Sequence, residues 1–172
     1  MQPHVTLRPW RAADAASLVE IYRDAALRRW ALRGPEDEAA AVRWIEDHER
    51  AREAGDRFAF AVTEPSAEDC VLGQVVLKRE GPDPASAEVG YWTAAPARGR
   101  GVAPRALEAL TEWAFTTFAA EGLTRLSLLH QVDNEASCRV AHKCGYDLAE
   151  VLAPFPPDYP LNGHLHVRER VA

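Results

Sequence analysis

The chain predicts an α+β fold: one central mixed, mostly antiparallel sheet flanked by helices. Two observations carry this. Helical periodicity dominates residues 14–53 and then gives way to β segments joined by short polar turns, and the second half alternates strand, helix, strand, helix, strand. With 172 residues the chain is long enough for one real core and short for two, so 1–172 is read as a single domain.

Val5-Thr6-Leu7 alternates like a short strand, and Asp14 is placed to cap a helix running to about Asp24, with Leu18, Ile21, Tyr22 and Ala25 at helical spacing. A basic, aromatic connector follows (Arg28, Arg29, Trp30, Arg33), ending at Gly34-Pro35. Glu36 to about Glu53 reads as a second amphipathic helix, with Val42, Ile45 and His48 or Glu49 on successive turns. Strands are expected over Phe58–Thr63, Val71–Lys78 and Ser86–Thr93, separated by the turn 64–69 and by Gly81-Pro82-Asp83-Pro84. Val102 to Ala120 forms the longest helix, its core face being Leu107, Leu110, Ala114 and Phe118. Pro104 fits because it falls in the first turn, where its missing N–H has no helical partner to lose. Strand Leu123–His130, helix Asn134–Lys143, strand Tyr146–Leu152, a Pro-rich loop 153–160 and strand His164–Val171 complete the chain.

The net charge of −6 argues against a general nucleic-acid binder, which needs surplus Lys and Arg for phosphate contact. Met1–Trp10 has no apolar core and does not read as a signal peptide, and no run approaches the ~20 apolar residues of a membrane span. The cysteines, Cys70, Cys138 and Cys144, are odd in number and show no paired spacing, so a reducing cytoplasm is the expected location.

The most informative stretch is Arg98-Gly99-Arg100-Gly101-Val102-Ala103, directly between a strand and the longest helix. Its glycines permit positive φ and close backbone approach, and the first helical turn offers unpaired N–H groups at the positive end of the helix dipole. Arg98, Arg100 and Arg105 add charge. The arrangement suits a pyrophosphate, yet it is neither a GxxxxGK[ST] loop nor GxGxxG, since Pro104 stands where the last glycine belongs. A flexible basic turn is the competing account.

Glu88-Val89-Gly90-Tyr91-Trp92, Arg98-x-x-Gly101-x-Ala103, Asp133-Asn134-Glu135-Ala136-Ser137 and Cys144-Gly145-Tyr146 occur in that order. Together they resemble the GNAT N-acetyltransferase superfamily. The opening Leu7-Arg8-Pro9-Trp10 resembles its branch of bacterial ribosomal-protein N-terminal (Rim-type) acetyltransferases. The resemblance covers almost the whole chain. It implies a GNAT-like acyl-CoA N-acyltransferase fold, acetyl-CoA as co-substrate and an amine acceptor, either a protein N-terminus or a small molecule. It further implies that backbone groups of Trp92, Thr93 and Ala94 pair with the pantetheine arm, that Gly99 to Ala103 hold the pyrophosphate, and that Asn134 touches the cofactor. An N-cap is the structural account of Asn134, and the two roles are compatible.

Amine acetylation requires a base for the ammonium, polarisation of the thioester and a donor to the leaving thiolate. Glu88 is the candidate base: strand alternation places Glu88, Gly90 and Trp92 on one face, with Gly90 leaving a gap. An exposed strand carboxylate accounts for Glu88 equally well. Ser137, three residues after Asn134 on one helix face, is the candidate donor, against a helix-start serine bonding locally. Many family members carry a tyrosine four residues further on, where this chain has Ala141, so the serine arrangement of the ribosomal-protein branch fits better. That branch is expected to carry a glutamate before a Leu-Asn-Gly turn. Here Leu161-Asn162-Gly163 follows Pro156-Pro157-Asp158-Tyr159-Pro160, leaving Asp158 or a water chain as alternative bases.

His164 and His166 share a strand face and suggest a metal, but no third ligand is apparent in the sequence and none is expected. His130, at a strand end, is a candidate proton shuttle. Trp30, Arg33 and Trp44 fall where the family builds its acceptor pocket, though core aromatics explain the tryptophans as well. The family often dimerises, and no residue pattern here picks an interface. The second functional reading is a non-catalytic acyl-CoA-binding or sensing module of the same fold, motivated by the missing tyrosine and the displaced carboxylate.

Overall fold

The computed structural model describes residues 4–31 and 34–171. Among the described residues seven strands form one sheet: β1 (Thr6–Pro9), β2 (Arg57–Thr63), β3 (Gly73–Lys78), β4 (Ser86–Thr93), β5 (Arg125–Gln131), β6 (Asp147–Leu152) and β7 (Gly163–Glu169), in spatial order β1-β2-β3-β4-β5-β7-β6. Every neighbouring pair is antiparallel except β4–β5. That exception is forced by the helical crossover between them, α4 (Val102–Thr117). The expected mixed, mostly antiparallel sheet with flanking helices is therefore present.

Two apolar layers sandwich the sheet. On one face α1 (Ala15–Tyr22), α2 (Ala25–Trp30) and α3 (Glu38–Ala54) bury Leu18, Leu27, Ala41 and Ile45 with Trp10 and Val76. On the other, α4 buries the four positions that its periodicity marks, Leu107, Leu110, Ala114 and Phe118, against Val75, Leu77, Val89 and Leu126. The helix α5 (Glu135–Lys143) lies on this second face, with Ala141 in the core. Local signals end these helices where expected. Asp37 caps α3 by accepting from the Ala40 amide at 2.7 Å, and Gly55 closes it in the left-handed region at φ 79°.

Two expectations are corrected in detail and one open alternative is decided. The first predicted helix is two: it stops after Tyr22, and Asp24 caps α2 by accepting from the Ala26 and Leu27 amides, which leaves Ala25 exposed. The α3 face continues through half-buried His48, while Glu49 is exposed. Asp14 precedes α1 without capping it. Its carboxylate is taken by Arg8, two bonds of 2.8 Å in a buried pair, and by the Arg11 amide.

Candidate active site

The strands β4 and β5 pair only from Ser86 and Arg125 to Val89 and Leu128. Beyond that point β4 stays on β3 to Thr93, while β5 follows β7 to Gln131 and Gly163. The two strands therefore splay, and β4 keeps an unpaired edge from Gly90 onward. Ladder alternation decides which groups line it. The Ala94 amide donates to the Leu72 carbonyl on the β3 side at 2.9 Å, so Trp92 also faces β3, and the backbone groups of Tyr91 and Thr93 face the gap. Of the predicted trio, Thr93 presents its backbone to the cleft and the Ala94 N–H is already committed.

A cleft of about 990 Å³ occupies the α4/α5 side of this gap. It runs past Tyr91, Trp92 and Thr93, then Arg98, Gly99 and Gly101 of the turn, Val102 and Ala103, and Asn134 and Ser137 of the α5 side, while the predicted Arg100 is not part of its lining. Gly99 and Gly101 both sit in the left-handed region, φ 73° and 70°, which a side-chain-bearing residue adopts only with strain. Gly101 is the N-cap of α4 and supplies no side-chain cap, so the first amides of the helix point outward at its positive end. The arginines also do something that sequence did not show. Arg98 is ion-paired with Asp24, which is thereby held below its ordinary carboxylate range, and Arg100 meets Glu64 at 2.5 Å. They brace the turn against α2 and the β2–β3 loop. Lys143, from the end of α5, also lines the cleft.

Asn134 does cap α5: its side chain accepts from the Ser137 amide at 3.2 Å, and it borders the cleft as well. Ser137 Oγ accepts a hydrogen bond from the Tyr91 hydroxyl at 3.0 Å. Burial pushes the Tyr91 phenol up to about 12, the bond to Ser137 opposing it, so Tyr91 holds its proton at neutral pH. Sequence reasoning missed this partnership. Tyr91 lies in a quoted motif, but alternation turns its side chain away from the Glu88 face, and no spacing links it to a helix 46 residues later.

On the other side of the gap lies a second cavity of about 420 Å³, which shares Trp30, Tyr91, Trp92, Asn134 and Ser137 with the first. Glu88, Gly90 and Trp92 line it, as alternation requires, together with Trp30, Trp44 and His130. Glu88 is half-exposed and pairs with its cross-strand neighbour Lys78 at 2.5 Å. Phe155, Tyr159 and Leu161 of the Pro-rich loop form the outer wall. The loop is pinned to the end of β5, where the Val132 amide donates to the Asn162 carbonyl at 2.9 Å. Asp158 sits in the exposed turn between Phe155 and Tyr159 and is not part of the lining. Arg33 lies outside the described residues. Cys144 is buried, its thiol pushed up to about 11 by burial, and it donates to the Pro104 carbonyl at 3.3 Å beneath the Gly145 turn.

A splayed parallel strand pair beside an uncapped glycine-rich helix start is a frame suited to an extended, phosphate-bearing ligand. Residues 4–147 match the model of the Acetyltransferase (GNAT) domain, and the chain belongs to that family of acetyltransferases. No curated protein matches it in sequence. Among solved structures it is similar to Mycobacterium smegmatis RimJ in complex with CoA-disulfide, with 21% identity over 96% of this chain and 81% of that one and a TM-score of 0.83. It is also similar to the ribosomal-protein-S5-alanine acetyltransferase of Vibrio fischeri, at 18% identity, 96% and 93% coverage and a TM-score of 0.81. The microcin C7 self-immunity acetyltransferase MccE, in complex with acetyl-CoA and AMP, gives 18%, 97% and 93%, and 0.79. At these identities the likeness is one of fold. Among the described residues no helix is long and apolar enough to cross a membrane.

Proposed function

We propose that the protein transfers acetyl from acetyl-CoA directly to a primary amine, with a peptide N-terminus as the favoured acceptor class. The observation that carries this reading is the meeting of two cavities at the β4–β5 splay, with Trp30, Tyr91, Trp92, Asn134 and Ser137 common to both. Pantetheine lies along the open edge at Thr93, and the pyrophosphate lies on the amides from Gly99 to Ala103. The thioester then reaches the gap beside Ser137. The amine enters from the opposite cavity and attacks the carbonyl carbon. The C–S bond breaks, and Ser137, whose oxygen is already engaged by Tyr91, donates its hydrogen to the departing sulfur while the second amine proton, released as the amide forms, restores the Ser137 hydroxyl. Glu88 accepts the ammonium proton, directly or through water, before attack. In doing so it exchanges Lys78 for the incoming cation.

The peptide preference rests on the Rim-type neighbours and on a cavity walled by a surface loop, which leaves an extended chain room to exit. The test is CoA release, followed by mass, across short peptides with different N-termini and a panel of small amines. Turnover on peptides alone is expected. Turnover confined to small amines overturns the acceptor class. Acetyl-CoA binding without turnover on either panel favours the sensing module, in which the Lys78–Glu88 pair is permanent. Glu88→Gln is expected to lower kcat about a hundredfold and to change its pH profile, whereas unchanged activity across pH removes Glu88 from the base role.

A further inference from the structure

The sequence offered two histidines and no third ligand. The fold supplies two more. His130 of β5 lies directly opposite His164 of β7 in the sheet register, and His166 follows two residues on, so all three rings project from one face beneath α5. Cys138 comes down from α5 onto the same spot. The four ligand atoms lie within 4.8 Å of one another, and His166 is fully buried.

Hydrogen bonding sets the ring tautomers. His130 Nδ1 lies 2.8 Å from the Gln131 carbonyl, and His166 Nδ1 lies 3.2 Å from the Tyr146 carbonyl. A carbonyl only accepts, so each Nδ1 carries the hydrogen and each Nε2 is left with a lone pair. These two lone pairs face each other at 3.1 Å, an arrangement that is repulsive unless a cation sits between them. The spacing is near the edge of a tetrahedron around a zinc-class ion, about 3.3 Å for a metal–nitrogen bond of about 2.0–2.1 Å. His164 Nδ1 is buried and has no hydrogen-bond partner among the described residues. A ring N–H donated to a backbone carbonyl is also the usual outer support of a metal-bound imidazole.

We propose that His130, Cys138, His164 and His166 form a tetrahedral site for a zinc-class divalent ion, adjoining the acceptor cavity that His130 also lines. Four protein ligands fill the coordination shell, so the role is structural: the ion staples α5, and with it the neighbouring Ser137, to β5 and β7.

The test uses the full chain, stripped by chelator under reducing conditions and titrated with Co²⁺. One ion per chain is expected, with a near-ultraviolet thiolate-to-cobalt band and the intense visible bands of a tetrahedral centre, both bleached by equimolar Zn²⁺. Cys138→Ser removes the near-ultraviolet band, His164→Asn weakens Co²⁺ binding at least tenfold, and Cys70→Ser changes neither. Thermal unfolding of the wild type shifts upward with added Zn²⁺. Absence of the thiolate band in the wild type, or its persistence in Cys138→Ser, overturns the site. A nitrogen-bound proton shared by His130 and His166, seen by ¹⁵N NMR with equimolar Zn²⁺ present, overturns it as well. None of these readouts depends on acetyl transfer.

Discussion

The two sides of the β4–β5 gap are built in different ways. The proposed cofactor side is mainly backbone: an open strand edge, two left-handed glycines and an uncapped helix start, all within residues 91–103. The proposed acceptor side is mainly side chain, with Trp44 from α3, Glu88 from β4 and Tyr159 from the 153–162 loop. A backbone cradle recognises what every acyl-CoA has in common and tolerates side-chain drift around it. A pocket assembled from distant side chains varies with each of them, and the proposed function locates acceptor choice there.

Substitutions at the shared wall, then on each side, test this division. Ser137→Ala is expected to lower kcat about a hundredfold with little change in CoA affinity, and Tyr91→Phe about tenfold, measured under saturating acetyl-CoA. Because Tyr91 acts through Ser137, the double variant is expected to be no slower than Ser137→Ala; additive losses would show that Tyr91 has a separate role. On the cofactor side, Gly101→Val forces a β-branched residue to φ 70°, with Arg105 Nη1 3.3 Å from the new Cβ. A strain of about 1–3 kcal/mol predicts CoA binding weaker by tenfold or more in calorimetry, with acceptor discrimination unchanged. On the acceptor side, Trp44→Ala removes a ring that packs edge-on against Trp10 at 5.4 Å. It is expected to raise acceptor KM about tenfold and leave CoA affinity alone, and a matching loss of CoA affinity would break the comparison.

The smallest effect concerns pH. Tyr22 and Tyr91 are pushed up to about 12 and Cys144 to about 11, each chiefly by burial, from ordinary values of 10.0 and 9.0. Folding therefore favours the protonated form. The associated stability is complete below about pH 9 and is lost as pH rises through 11 and 12. A melting temperature that is flat from pH 7 to 9 and falls above it is expected, with part of the fall absent in Tyr91→Phe.

Much of the cofactor side was legible before any fold was known. Glycine at 99 and 101, followed by a helix with Pro104 in its first turn, states its own backbone geometry, and the alternation of Glu88, Gly90 and Trp92 holds in the sheet. Asp14 shows where such reading stops. Its position suits a cap, but the buried Arg8 guanidinium outcompetes the local amides, a contest that depends on what the tertiary fold buries. The Arg98 and Arg100 ion pairs belong to the same category.

From sequence alone came the strands, most of the helices and the glycine turn, because each follows from the conformational preferences and apolar spacing of adjacent residues. Tertiary structure alone decided the insertion of β7 between β5 and β6, which sets His164 and His166 beside His130. It also decided the approach of α5 that joins Tyr91 to Ser137. Strand order and helix docking are settled by burial of the whole sheet, and no local run of residues records which distant side chains that burial brings into contact.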